Sequence, residues 1–335
     1  MTATDVGAAL PKEKTDILPA LLPALVALAA LPFVSPSTWL TLTVAGLAMG
    51  MMIFIMASGL TLVFGLMDVL NFGHGAFIAV GAYLATLVLL PMAGYMQADS
   101  LWLNLAALVP AVLLAAGVTG VLGLAFERVL IRPVYGQHLK QILITMGGMI
   151  VAEQLLYALW GPQQIPLPLP TSLRGAFIIG DAAVEKYRLV AVVVGLAVFV
   201  AMMLVLNRTK IGLLIRAGVE NGEMVEALGY RVRRLFIGVF MTGSALAGLG
   251  GVMWALYRET VNAHMGGELM VLVFIVVIIG GLGSVGGCFI GALLVALLAN
   301  YAGFLLPKAA LVSDILLMVA VLLWRPRGLY PVATR

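Results

Sequence analysis

Side chains able to do chemistry are scarce in this sequence and gather in four places. Asn207 to Arg234 is the longest strongly polar stretch; it carries Arg216, Asn221 and three acids, Glu220, Glu223 and Glu226, at helical i, i+3 spacing. Asp68, Asn71 and His74 interrupt an apolar run rich in Gly73, Gly75 and Gly81, and Glu153 is the only ionisable side chain between Lys140 and Arg174. The octet Gly280 to Gly287, with Gly281, Gly283 and Ser284, is too rich in glycine for a strong helix. Catalysis finds little support in this inventory. His74, His138 and His264 lie in three separate segments, neither H-E-x-x-H nor G-x-S-x-G occurs, and Cys288 is the single cysteine. No Gly-Lys pair occurs anywhere, so the glycine octet is not a phosphate loop and the chain has no P-loop of its own. What remains is recognition and movement: a docking surface in the polar stretch, and polar groups inside an apolar medium.

The elements that must carry these groups are membrane helices. Of the 335 residues, 63% are hydrophobic and 10% charged, with a mean hydropathy of +1.13, far outside the range of a soluble domain. Ile17 to Met67 contains no charged side chain, and a crossing needs only about 20 apolar residues. The expected fold is an all-α integral membrane protein, a polytopic bundle of about 8–10 transmembrane helices with broken or re-entrant segments. Candidate spans are 17–35, 38–57, 72–90, 101–123, 140–160, 187–206, 235–256, 268–280, 286–306 and 309–324. Ser58 to Met67 is too short to cross alone, and the glycine octet leaves 268–280 as a half-helix. Residues 1–16 form a mixed-charge tail ahead of an uncleaved first helix, and 17–335 form one transmembrane domain.

Orientation follows from counting cations, since Lys and Arg near helix ends favour the cytoplasm. With the amino terminus inside, fourteen of the nineteen basic residues fall on inner segments, leaving Arg174, Lys186, Arg188, Arg258 and Lys308 outside. Both termini are expected in the cytoplasm, with 207–234 as an inner loop and 161–186 as an outer one. Pro162, Pro166, Pro168 and Pro170 favour an extended outer loop. The same count explains the net charge of +4 without nucleic acid.

Within the inner loop the pattern predicts a short amphipathic helix over 218–229, with the acids on one side, Met224, Val225 and Leu228 on the other, and Gly229 as its stop. Two readings are open: a docking helix for a soluble partner, or a charged loop that only orients its neighbours. Asp68, Asn71 and His74 either line a path at a broken helix or cap a helix start, with His74 packed in its first turn. Glu153, beside Gln154, is either functional or an interhelical hydrogen-bond partner. Leu62 to Leu84 and Leu272 to Leu294 share a texture, Leu-Val-Phe, a glycine break, then Gly-x-Phe-Ile, which suggests duplicated halves.

Four motifs carry a family resemblance. R-A-x-x-x-N-x-E-M-x-E-x-L-G-Y from Arg216 to Tyr230 looks like the ATPase-coupling loop of LivH-type permeases, the membrane subunits of ABC importers for branched-chain amino acids and related solutes. Gly59, Leu60, Gly65, Asn71, Phe72, His74 and Gly75 match a second family segment, the glycine octet resembles a third, and Arg325-Pro326-Arg327-Gly328-Leu329 is similar to the family's ending. The resemblance implies a permease with coupling residues Arg216, Glu220, Asn221, Glu223, Met224, Glu226, Leu228 and Gly229. Asn71, His74, Gly75, Glu153, Gly281, Gly283 and Ser284 are candidates for the translocation path. It further implies a second, LivM-type permease, two cytoplasmic ATPases that bind ATP and Mg, a periplasmic solute-binding protein, and a place in the bacterial inner membrane. No cofactor or metal is expected in this chain. The competing class is a secondary transporter driven by an ion gradient, with Glu153 or Asp68 as its coupling acid.

Overall fold

The computed structural model describes residues 17–220 and 222–331. Among the described residues six helices are long and apolar enough to cross a membrane, and four shorter apolar helices accompany them. The expected tail at 1–16 lies outside the described residues.

α1 (Leu18–Ala29) is short and followed by a 3-10 turn, so the span expected at 17–35 is only partly helical. Ser35 then starts α2 (Pro36–Met67) as its N-cap, its hydroxyl accepting from the Thr38 amide, with Pro36 at the first position where a missing N–H costs nothing. This helix runs 32 residues without interruption and is the most buried of the spans. Ser58 to Met67 is therefore its last third and not a separate piece. A helix packed on all sides loses little to glycine when the glycine admits a neighbour's backbone, and Gly59 sits directly against Gly243.

Beyond α2 come α3 (His74–Leu89), the one-turn α4 (Ala93–Gln97), α5 (Leu101–Phe126), α6 (His138–Trp160) and α7 (Lys186–Arg208). Two short helices, α8 (Lys210–Glu220) and α9 (Gly222–Ala227), precede α10 (Val232–Arg258), α11 (Met265–Gly280), α12 (Val285–Leu305) and α13 (Pro307–Trp324). The 161–186 loop carries structure of its own. β1 (Ile165–Pro166) pairs antiparallel with β4 (Thr260–Val261), and β2 (Ala176–Ile179) forms a hairpin with β3 (Ala182–Glu185). Buried Asn104 at the start of α5 accepts from the Ser172 amide and donates to the Tyr95 carbonyl, which fastens the loop to the bundle.

α2 and α10 run antiparallel: Gly59 meets Gly243 while Met56 meets Gly250, so one chain steps back as the other advances. Each ends the same way. Asp68 and Glu259, the two described non-glycine residues with positive φ, both at 53°, stop their helices in the left-handed conformation. Six residues later each chain starts a helix of 16 residues, α3 or α11. Asn71 and Asn262 occupy the same place in the two links, each offering its carbonyl to the first amide of the half-helix, His74 or Met265. This is an inverted repeat, and its register differs from the textures of Leu62 to Leu84 and Leu272 to Leu294. Those stretches both contain a break, but they pair the end of α2 with the end of α11, whereas the backbone pairs α2 with α10 and α3 with α11.

Candidate functional site

The two half-helices begin nose to nose. A Cβ on Gly75 would meet the Gly266 carbonyl, and one on Gly266 would meet that of Gly75, a reciprocal backbone contact of the kind a twofold relation produces. The junction sits well inside the bundle: His74 Nε2 donates to the Met56 carbonyl at 2.9 Å, and Met56 lies 11 residues, or about 16 Å, before the end of α2. Phe72 and Phe274, one from each repeat, meet with ring centroids 4.4 Å apart.

Around this junction the polar groups divide. Asn71 and His74 are fully buried. Gly73, not Asn71, is the N-cap of α3, no side chain caps it, and both side-chain polar atoms of Asn71 lack a partner among the described residues. The capping role considered for Asp68 and Asn71 is thus not what the fold uses: Asp68 terminates the preceding helix, and His138 Nε2 stands 3.7 Å from its carboxylate. Glu153 comes from α6, where its Oε1 lies 2.7 Å from His264 Nδ1, and the ring of Tyr157, one turn on, stands edge-on to the imidazole at 5.5 Å. Gln154 is exposed and takes no part in that pair. His264 was not a candidate from sequence, since nothing in a linear pattern brings the link after α10 to the middle of α6. A cavity of 210 Å³ opens beside Glu153, walled by Phe72, Met146, Met149, Ile150, Met270, Val271 and Phe274.

Gly281, Gly283 and Ser284 belong elsewhere. From Gly266 to Gly280 α11 runs 14 residues, about 21 Å, so they stand at its far end. There Ser284 caps α12 by accepting from the Gly287 amide at 3.1 Å. Gly281, with φ 99°, lies against the Tyr330 carbonyl, where a side chain would have no room. The Leu329 and Tyr330 amides donate to the Ile279 and Gly280 carbonyls, and Gly283 abuts Gly65. This break is filled by the carboxyl-terminal tail, which places these three path candidates in a packed junction apart from the Gly75 and Gly266 contact.

The polar segment after α7 is helical over Lys210–Glu220 and Gly222–Ala227, so helix begins upstream of the expected 218–229 and reaches Ala227 on the far side of the undescribed residue. Asn221 lies outside the described residues, as do the side chains of Arg216, Glu220 and Glu223. Gly229 is left-handed at φ 87°, as a helix stop requires. The apolar side of α9 is divided: Val225 is buried, while Met224 and Leu228 are 61% and 71% exposed. At the end of α9 a pocket of 520 Å³ is lined by Arg128, Glu226, Arg231, Arg233 and Arg234.

Residues 42–324 match the family described as branched-chain amino acid transport system, permease component. The chain belongs to that permease family. Relatives include the BraD high-affinity branched-chain amino acid transport system permease protein of Pseudomonas aeruginosa, 28% identical over 85% of this chain and 94% of BraD. The corresponding LivH protein of Escherichia coli is 26% identical over 85% of this chain and 92% of its own length. A probable LivM permease of Methanocaldococcus jannaschii is 28% identical over 35% of this chain and 34% of its own. No solved structure matches it. Family membership makes this an ABC-importer permease component, not an enzyme and not a secondary transporter. The matched region takes in both repeats and the α8–α9 segment of the permease, so the motif resemblance and the whole-chain likeness point the same way.

Proposed function

We propose that this permease moves a branched-chain or related amino acid inward across the bacterial inner membrane. It does so as one of a pair with a LivM-type permease, served by two cytoplasmic ATPases and an external solute-binding protein. ATP and Mg are bound in the ATPases, both termini face the cytoplasm, and the α8–α9 segment is the handle on which the ATPases act. The observation that carries the reading is the pair Met224 and Leu228, exposed four residues apart along α9 and the turn that ends it, outside the spans, with Glu226 between them in the chain. Such a ridge on a water-facing helix suits a groove on a soluble partner. Arg216, Glu220, Asn221 and Glu223 fall in the same segment and Gly229 ends it, which fits the coupling role.

Closure of the ATPases would press on α9 and be passed to α10, which starts five residues after it and carries one of the two breaks. Because α3 and α11 approach each other backbone to backbone at Gly75 and Gly266, tilting one repeat against the other opens the junction alternately to each side. The test is ATP-driven amino-acid uptake by the whole importer in proteoliposomes. Met224→Asp with Leu228→Asp, and separately Glu223→Lys with Glu226→Lys, is expected to lower uptake at least about tenfold while the thermal midpoint of the purified permease stays put, because interface anchors dominate docking. Undiminished uptake in both double variants, or uptake without any ATPase, overturns the reading.

A further inference from the structure

We propose that the cavity between α6 and α11 is a solute subsite within the membrane. There Glu153 receives the ammonium group of an amino acid in place of His264, and the surrounding wall receives its aliphatic side chain. This rests on the amino-acid importer reading and adds to it where, and by which charge, the solute is held.

Glu153 is 19% exposed, so it is drawn in from water yet open on one side, toward a cavity whose other walls carry no charge. An acid inside a span needs a partner, and the partner it has, His264, is 66% exposed and held by one ion pair and one ring edge. A partner so placed is displaceable: an alkylammonium can take the carboxylate while the imidazole swings outward. The 210 Å³ of space is of the size class of a small amino acid. Its lining of Met146, Met149, Ile150, Val271 and Phe274 is deformable and apolar, suited to a branched aliphatic chain. Glu268, four residues after His264 on α11, is also exposed and adds negative charge to the approach.

The other repeat shows that the fold does not require these groups. By the register of the two links, Gly73 stands where His264 does and Phe77 where Glu268 does. In that half the Phe126 ring closes over Gly73 and stacks edge-on to Phe77. One half is lined by apolar and aromatic side chains at these positions and the other is left polar and open, which is what a site for a charged solute on one side of the junction demands.

The experiment uses the assembled importer in proteoliposomes and leucine as the probe. Uptake of leucine by the unaltered importer tests the function independently of the site. Glu153→Gln, equal in shape and without charge, is expected to cut leucine uptake at least about tenfold, as loss of a charged hydrogen bond does; Glu153→Asp restores part of it. In a second measurement, Met146→Cys is labelled with a thiol reagent, the native Cys288 being buried. Leucine is expected to slow labelling, and 4-methylpentanoate, which has the same chain without the ammonium, is not. If the unaltered importer carries leucine and Glu153→Gln carries it equally well, the subsite is overturned and the function stands. Equal protection by both compounds overturns the ammonium contact. Loss of the second permease on co-purification of Glu153→Gln also overturns it, because Glu153 then serves a contact between subunits.

Discussion

The links after α2 and after α10 share one backbone and opposite chemistry. Both leave a helix through a left-handed acid, both present an asparagine carbonyl to the next helix start, and both deliver a half-helix of equal length to the same glycine contact. After α2 the polar groups are sealed. Asn71 and His74 are wholly buried, and Phe77, Phe126 and Phe240 form an aromatic cluster beside them. After α10 the positions that match Gly73 and Phe77 are polar and open, with His264 and Glu268 exposed and Glu153 reaching across from α6. A duplicated scaffold can thus keep its geometry in both copies and specialise in one, because close backbone packing constrains shape while leaving side-chain chemistry at the rim free to vary.

The shared junction offers the strongest way to break this comparison. Gly75→Val and Gly266→Val each drive a side chain into the opposing carbonyl, and overpacking of this kind costs about 1–3 kcal/mol or more. Both are expected to lower the thermal midpoint of the detergent-purified permease by similar amounts, whereas Gly94→Val, with open space around its Cβ, leaves it unchanged. A large effect from only one of the pair would mean that the two half-helices do not meet as equals.

The next contrast is between the histidines. His74→Ala removes a fully buried ring with its hydrogen bond to the Met56 carbonyl and leaves a void, a loss of about 1–3 kcal/mol. His264→Ala removes a mostly exposed ring and is expected to cost less, no more than about 1 kcal/mol for the lost pair with Glu153. Melting curves of the two variants sharpen the division between a sealed and an open half; equal destabilisation would erase it.

The smallest effect is expected at the left-handed acids. Asp68→Gly and Glu259→Gly each relieve the crowding of a Cβ at positive φ, worth up to about 1 kcal/mol and offset in part by the freer unfolded chain. The two changes should agree in sign, and a rise at one with a fall at the other would show that the links are not equivalent.

Much of this was legible in the linear chain. Lipid as a solvent writes itself into hydropathy, so the membrane class, the apolar helices, the half-helix ending at Gly280 and the polar segment after α7 follow from composition and spacing. The resemblance carried by Arg216 to Tyr230 and by the Asn71 segment gave the family. Uniform hydropathy also hides information: in an all-apolar run no period marks which face is buried, so α2 passed for two pieces. The repeat is faint because its copies keep the backbone and differ in side chains; Asn71 with Asn262 and Gly75 with Gly266 are nearly all that its links share.

The amino-acid sequence by itself determined that the chain lives in a membrane, how its helices are apportioned, and where a soluble partner is expected to take hold, because these depend on local composition and short-range period. Only the tertiary structure decided that α3 and α11 meet at Gly75 and Gly266, that Glu153 finds His264, and that the glycine octet is plugged by the carboxyl-terminal tail. Those pairings join residues distant in the chain, and they are settled by which backbones can approach closely enough to pack.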